Sequence, residues 1–293
     1  MKTPHFEYRA PRTIDEALAL LAEHADEAKV LAGGQSLVPL LAMRLARPSY
    51  VIDINDVAGL TGITALDGAS KGVAFGALTR ERDAERSTLV TERLPVLAEA
   101  LPLIGHVSIR NRGTIGGSIA HADASAELPT VAVALGAQMV VRSTKGERVV
   151  AASDFFQGHF TTSMADNELL TEVRMPAGPA GAGWSFQEIV RRHGDFGLVG
   201  VATMVAMNGN VISEARIALM GVAERAVRVT ATERALVGQS ANADVFSAAA
   251  AEATKSLSPA SDVHGSADFR RHLAGVVVRR ALIEAAGRAG GAK

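Results

Sequence analysis

The sequence predicts an α+β protein, with two N-terminal α/β lobes followed by a domain of antiparallel strands and a three-helix group. Three observations predict it. Strand and helix signals alternate as far as Pro176. A run of small residues, Pro176-Ala-Gly-Pro-Ala-Gly-Ala-Gly183, then interrupts all regular patterning. Beyond it come strands around an Asn208-Gly209 hairpin signal, then three stretches at helical spacing. The expected domains are residues 1–176, with lobes of about 1–55 and 56–176, and residues 177–293.

Each element has a local reason. Thr13-x-x-Glu16 is a capping box ahead of Ala17, Leu18, Leu21 and Ala22, which share one helical face. Val30–Ala32 is a short apolar strand ending at Gly33-Gly34; Ser36 can cap a helix over Leu37–Leu45, and Tyr50–Ile54 is β-rich. In the second lobe, Gly72–Leu78 is a predicted strand and Thr88–Leu101 a helix interrupted near Pro95. The glycine-rich segment Ser108–Ser118 follows, then a helix over Ser125–Gly136. A hairpin of Gln138–Arg142 and Glu147–Ala151 and a strand Glu168–Met175 complete the lobe. In the last domain Ser185–Val190, Gly200–Met207 and Val211–Met220 are predicted strands, and Arg225–Val237, Val245–Leu257 and Phe269–Ala286 predicted helices.

Composition removes several function classes. The 293 residues are 48% hydrophobic with a formal net charge of −1, so a core is available and the clustered cations that nucleic acid requires are not. There is no cysteine, which excludes disulfides, thiolate-held zinc and iron–sulfur clusters within this chain. No run approaches roughly 18 apolar residues and the N-terminus has no signal-like core, so a soluble cytoplasmic protein with no membrane span is expected.

Two glycine segments stand out. Leu31-Ala32-Gly33-Gly34-Gln35-Ser36 puts paired glycines between a strand and a helix, where successive backbone N–H groups can turn toward a phosphate. The same residues also suit a plain strand–helix turn. Thr114-Ile115-Gly116-Gly117-Ser118 repeats the pattern with two hydroxyls. Neither is GxGxxG or a Walker loop, so dinucleotide binding of the Rossmann kind and nucleotide hydrolysis are disfavoured. Two nests on separate lobes could clasp one pyrophosphate from both sides.

Ala32–Ser36 together with Thr114-Ile-Gly-Gly-Ser-Ile-Ala-His121-Ala-Asp123-x-Ser-Ala-Glu127-Leu-Pro129 resembles the FAD signature of the carbon monoxide dehydrogenase and xanthine dehydrogenase flavoproteins. The opening Phe6–Thr13, Glu168–Glu172, Arg191–Phe196 and Phe269–Gly275 also fit, so the resemblance runs along nearly the whole chain in order. It implies a PCMH-type FAD-binding domain and a C-terminal lobe covering the flavin side. Ala32, Gly33, Gly34, Gln35 and Ser36, with Thr114, Ile115, Gly116, Gly117 and Ser118, would hold the pyrophosphate of a non-covalent FAD. Asp123 would scaffold the loop beside the cofactor and Glu127 would lie near its adenosine end. Leu170 and Ile104 match ring-packing positions, and Phe196 an aromatic near the exposed ring face. Three departures bear on flavin potential and acceptor: Gln35 for His or Asn, Ser118 for Asn, and Phe196 for Tyr.

The resemblance also implies an oxidoreductase subunit without catalytic side chains of its own. A molybdenum-cofactor large subunit and a small subunit with [2Fe–2S] clusters would be its partners, in a dimer of heterotrimers that delivers electrons through FAD to an external acceptor. A self-contained FAD-dependent oxidase of related fold is the alternative. Other candidates are weaker. His121 and Asp123 lack an adjacent third ligand, so no metal site is expected. Arg191, Arg192 and Asp195 suit either a charged gate or a solvated turn. Met204, Met207 and Met220 suit core filling. Arg270, Arg271, Arg279 and Arg280 suit a solvated or interface edge. Ser36 has no histidine partner, which argues against a serine hydrolase.

Overall fold

The computed structural model describes residues 2–68 and 71–291. Lobe one comprises β1 (Glu7–Arg9), α1 (Ile14–His24), β2 (Ala28–Leu31), α2 (Leu37–Ala42) and β3 (Tyr50–Asp53). Its three strands pair in parallel in the order β1-β3-β2. The capping box forms: Thr13 Oγ1 accepts from the Glu16 N–H, and Glu16 reaches back to the Thr13 N–H. Ala17, Leu18 and Leu21 then bury against Ile52 and Ile54, so the apolar face of α1 closes the lobe's core.

Lobe two comprises β4 (Ile63–Ala65), β5 (Val73–Gly76), α3 (Glu81–Glu85), α4 (Thr88–Arg93), α5 (Pro95–Ala100), α6 (Val107–Arg110), α7 (Ile115–His121) and α8 (Glu127–Leu135). These are followed by β6 (Gln138–Ser143), β7 (Gly146–Ala151), α9 (Ala152–Phe155), the small hairpin of β8 (Phe156–Gly158) and β9 (Thr161–Thr162), and β10 (Leu169–Met175). An antiparallel sheet in the order β4-β5-β10-β6-β7 backs the helices. Helix α8 is buried along its whole length, consistent with the apolar run Val131–Leu135 in it, and it takes Glu127 and Thr130 into the interior with it.

The third unit comprises β11 (Gly183–Ile189), β12 (Val199–Asn208), β13 (Val211–Met220), β14 (Val227–Arg228), α10 (Thr230–Leu236), α11 (Ala243–Lys255) and α12 (Ala267–Gly291). The strands form an antiparallel sheet in that order. Successive side chains of β12 serve two cores: Val199, Val201 and Val205 face α10–α12, while Ala202 and Met204 join the core of lobe two. That double burial explains why this strand has almost no polar residues. Arg288 locks the seam, binding Glu99 through both Nη atoms at 3.0 Å and the Trp184 carbonyl at 2.6 Å. No helix among the described residues is long and apolar enough to cross a membrane.

Five local expectations change. Ser36 precedes α2 but its side chain makes no capping hydrogen bond, and α2 ends at Ala42 rather than Leu45. The segment Ser108–Ser118 is not simply a loop: Gly116 and Gly117 lie inside α7. The expected helix Arg225–Val237 starts later, because Val227 and Arg228 first pair with Leu219 and Ala218. The hairpin turn is Gly209-Asn210, with Asn208 still paired to Val211. Arg270 is no solvated edge; it is buried and donates to the Leu198 carbonyl and to Asp262. Met204 and Met220 are buried core residues, as their type suggested.

Candidate cofactor site between the lobes

The two glycine segments, more than 80 positions apart in the chain, meet at one junction between the lobes. A Cβ on Gly33 would lie 2.3 Å from the Arg112 carbonyl oxygen, and one on Gly117 would point at Ala32 Cβ, 3.7 Å away. Gly33 is therefore glycine because lobe two's backbone touches it, whereas Gly34 also needs its left-handed φ of +74°.

The first segment is a set of donors without acceptors. The N–H groups of Gly33, Gly34, Gln35, Ser36 and Leu37 find no partner among the described residues. Its first four carbonyls, by contrast, are occupied. Leu31 O accepts from Ile54, Ala32 O from Asn55 Nδ2, Gly33 O from Gln35 Nε2 and Gly34 O from Val38. The occupied carbonyls of Ala32, Gly33 and Gly34 turn the N–H groups of Gly33, Gly34 and Gln35 away from those partners, and the open N–H groups at the start of α2 continue the strip, an arrangement suited to an anion.

The second segment works differently from what its pattern suggests. Its N–H groups are already used: Ile115 donates to Thr79 O, Gly116 to Ala77 O, Gly117 to Thr114 Oγ1 and Ser118 to Thr114 O. Gly116 is glycine because a Cβ there would meet Ala77 Cβ at 2.5 Å. What this segment can offer a ligand is the Ser118 hydroxyl and close backbone approach at Gly117, with Thr114 Oγ1 as the cap of α7.

Other candidates lie on lobe two and the third unit. Ile104 is half-buried, and Arg110 Nη1 holds its carbonyl at 3.0 Å. Leu170 is buried in the main core beside a register shift in β10. Phe196 is 67% exposed on the loop after β11. That loop leans on the Ile104 segment, since a Cβ at Gly194 would strike the His106 ring at 2.3 Å. Asp123 accepts from the Ser125 N–H and shapes the turn before α8, while His121 packs on Phe160. No group of three or more His, Asp or Glu among the described residues is placed to hold a metal ion.

Glu127, the first residue of α8, is buried with Glu81 and Glu188 as its charged neighbours. It therefore sits between Gly113, on which Glu81 packs, and the loop after β11, where Glu188 Oε2 lies 3.8 Å from the Cβ position of Gly197. Burial first, then Glu127's charge, pushes Glu81 up to about 8 and Glu188 up to about 8. Burial, with Asp123 adding to it, pushes Glu127 up to about 7. Sequence motifs did not flag Glu81 or Glu188, nor Asn55 and Arg80, which tie the lobes; single polar residues outside a pattern carry no signal until the fold brings them together.

Comparison with known proteins shows the family. Residues 4–178 match the family described as the FAD binding domain in molybdopterin dehydrogenase. Residues 184–285 match the CO dehydrogenase flavoprotein C-terminal domain. The chain belongs to the molybdopterin dehydrogenase flavoproteins. The 6-hydroxypseudooxynicotine dehydrogenase complex subunit alpha of Paenarthrobacter nicotinovorans is 43% identical over 290 residues, 99% of this chain and 97% of the relative. The carbon monoxide dehydrogenase structure from Hydrogenophaga pseudoflava superposes with a TM-score of 0.94 at 42% identity, covering 98% of this flavoprotein and 99% of that chain. Quinoline 2-oxidoreductase from Pseudomonas putida 86 gives 0.93 at 40% identity, covering 99% and 100%. This flavoprotein is thus an FAD-binding medium subunit of the molybdenum hydroxylase type, and the open N–H groups of Gly33–Leu37 fit the pyrophosphate of that cofactor.

Proposed function

We propose that the flavoprotein binds one non-covalent FAD in residues 1–176 and relays electrons within a molybdenum hydroxylase complex. The pyrophosphate would rest on the N–H groups of Gly33–Leu37, with Ser36, Thr114 and Ser118 hydroxyls at its flank. The ring would lie against Ile104 and Leu170, with Phe196 from residues 177–293 over its exposed face. Glu127, expected near the adenosine end, is flanked by Glu81 beside Gly113 and by Glu188 beside Gly197. The observation that carries this reading is the convergence of the two glycine segments on one junction, one of them with five unpartnered N–H groups.

The isoalloxazine, when bound, supplies the redox chemistry; the protein's part is to hold, orient and shield it. Substrate would be oxidised at a molybdenum cofactor in a large subunit, with [2Fe–2S] clusters of a small subunit passing electrons to this chain and an external acceptor removing them. A cytoplasmic dimer of heterotrimers is the assembly we infer. One feature supports dependence on partners: the chain has no cysteine to carry its own clusters.

The experiment is reconstitution. Acid precipitation of the purified chain should release FAD to the supernatant. The chain alone should fail to oxidise heterocycles, aldehydes or CO, and adding the molybdenum and iron–sulfur subunits should restore substrate-dependent flavin bleaching. Steady turnover by the chain alone would refute the subunit reading in favour of a self-contained oxidase.

A further inference from the structure

We infer that Arg80 and Asn55 are a positioning pair that sets the register of the two cofactor segments before FAD arrives; the inference rests on the FAD reading above. Arg80 caps the start of α3 in lobe two. Its Nη1 donates to the Arg112 carbonyl at 2.6 Å, and its Nη2 donates to Asn55 Oδ1 at 2.8 Å. Asn55, just after β3 of lobe one, turns its other face to the first segment and donates from Nδ2 to Ala32 O at 2.8 Å. The two carbonyls so captured, Ala32 O and Arg112 O, belong to the two strips of backbone that meet at Gly33.

The consequence is geometric. A peptide plane carries its N–H opposite its carbonyl. Fixing Ala32 O therefore aims the Gly33 N–H, the first of the five open donors, away from Asn55. Fixing Arg112 O holds the carbonyl that a Gly33 side chain would strike, and so sets how closely the lobes approach. Asn55 is itself held on a third side. Asp53 Oδ1 accepts from its backbone N–H at 2.9 Å and its Nδ2 at 2.6 Å, while Asp53 Oδ2 accepts from Tyr8 O–H at 2.7 Å. The chain of bonds runs from β1 through β3 into lobe two without a gap. A guanidinium is required at its centre because a single ammonium cannot reach two acceptors in a fixed fork.

These residues hold backbone carbonyls of both strips, so the effect we assign them is preorganisation. The test uses the full chain and the variants Arg80→Lys and Asn55→Ala, with three readouts: the FAD dissociation constant, the visible absorption and circular dichroism of the FAD-saturated protein, and the melting temperature of the apo protein. Each variant should weaken FAD by about ten- to a hundredfold, the weight of one to two hydrogen bonds. The double variant should be no weaker than the worse single one, because both act through one network. The saturated spectra should match wild type, since the ring pocket is elsewhere. ADP, which keeps the pyrophosphate and lacks the ring, should lose affinity in parallel with FAD. Wild-type FAD affinity in Arg80→Lys would overturn the inference while leaving the FAD reading intact. Altered ring spectra with a collapsed melting temperature would also overturn it, by showing a merely structural role. A wild-type chain that binds no FAD would sink both.

Discussion

Glu81 should make this flavoprotein lose stability as pH rises through neutrality, and Glu81→Gln should remove that loss. Glu81 is the first residue of α3 and is 4% exposed. Its Oε2 has no hydrogen-bond partner among the described residues and packs on the Cα of Gly113. Arg110 is the cation that faces it, yet the Arg110 guanidinium is committed to Glu85 at 2.8 and 3.3 Å and to the Ile104 carbonyl. Burial, reinforced by Glu127, therefore raises the carboxyl from 4.5 to about 8. In the folded chain the group keeps its proton where the unfolded chain has lost it. Stability from this group is full below about pH 4.5 and is lost progressively as pH climbs to about 8. At about 1.4 kcal/mol per unit the ceiling is on the order of several kcal/mol, shared with Glu127 through their coupling. Gln fills the same space and cannot ionise. Urea unfolding of the apo chain should show wild type and variant converging near about pH 5, and the variant more stable by roughly 2–4 kcal/mol near about pH 9. A variant less stable than wild type by the same amount at every pH would refute the argument, because it would mean that the carboxylate is paired and welcome.

Three further outcomes are expected. Gly117→Val should fold but lose most FAD affinity, because its Cβ would lie 2.5 Å from Thr114 Oγ1 and crowd Ala32 across the cleft; wild-type FAD occupancy by absorbance would count against the site. The displaced cap should also cost about 1 kcal/mol in apo stability, read by thermal unfolding. Arg288→Ala should destabilise by roughly 2–4 kcal/mol in chemical unfolding, since it strips Glu99 and the Trp184 carbonyl of their shared donor at the domain seam; a loss under about 0.5 kcal/mol would place the seam's strength in apolar packing alone. The purified chain should contain no stoichiometric iron by metal analysis, because it has no thiolate to hold a cluster.

Much of the fold was legible because its signals are local. The capping box, the strand alternations and the two hairpins each depend on residues within a few positions of one another. Where tertiary contact decides, the sequence misleads. Gly116-Gly117 looks like Gly33-Gly34 on paper, yet one pair lies in a helix whose N–H groups are spent and the other in a turn whose N–H groups are open. Arg270 looks like its neighbour Arg271, yet it lies buried against the loop leading into β12 and Arg271 pairs with Asp268 at the surface. Arg80 and Asn55 carry no motif, since their partners are carbonyls, which every residue has.

The same contrast explains how the cleft is built. Only one of its walls is a general anion cradle, the Gly33–Leu37 strip. The opposite wall serves by shape: Gly116 lets α7 sit against Ala77, which brings Gly117 up to Ala32. A donor strip alone would bind any phosphate; a shaped wall at van der Waals distance narrows the choice to a chain that can lie flat between two backbones. The third unit adds the last constraint. Its sheet is seated on lobe two by Met204, Met220 and Arg288, and the loop after β11 that carries Phe196 packs on His106 through Gly194, which at φ +85° has no Cβ to strike the ring. Phe196 is 67% exposed there, and the proposed reading makes a flavin ring its apolar partner. Phe196→Ala should accordingly leave the apo melting temperature within about a degree or two of wild type, because surface substitutions shift stability little. It should weaken FAD severalfold and raise the solvent quenching of bound-flavin fluorescence. Unchanged affinity and quenching would mean that the loop covers something other than the cofactor.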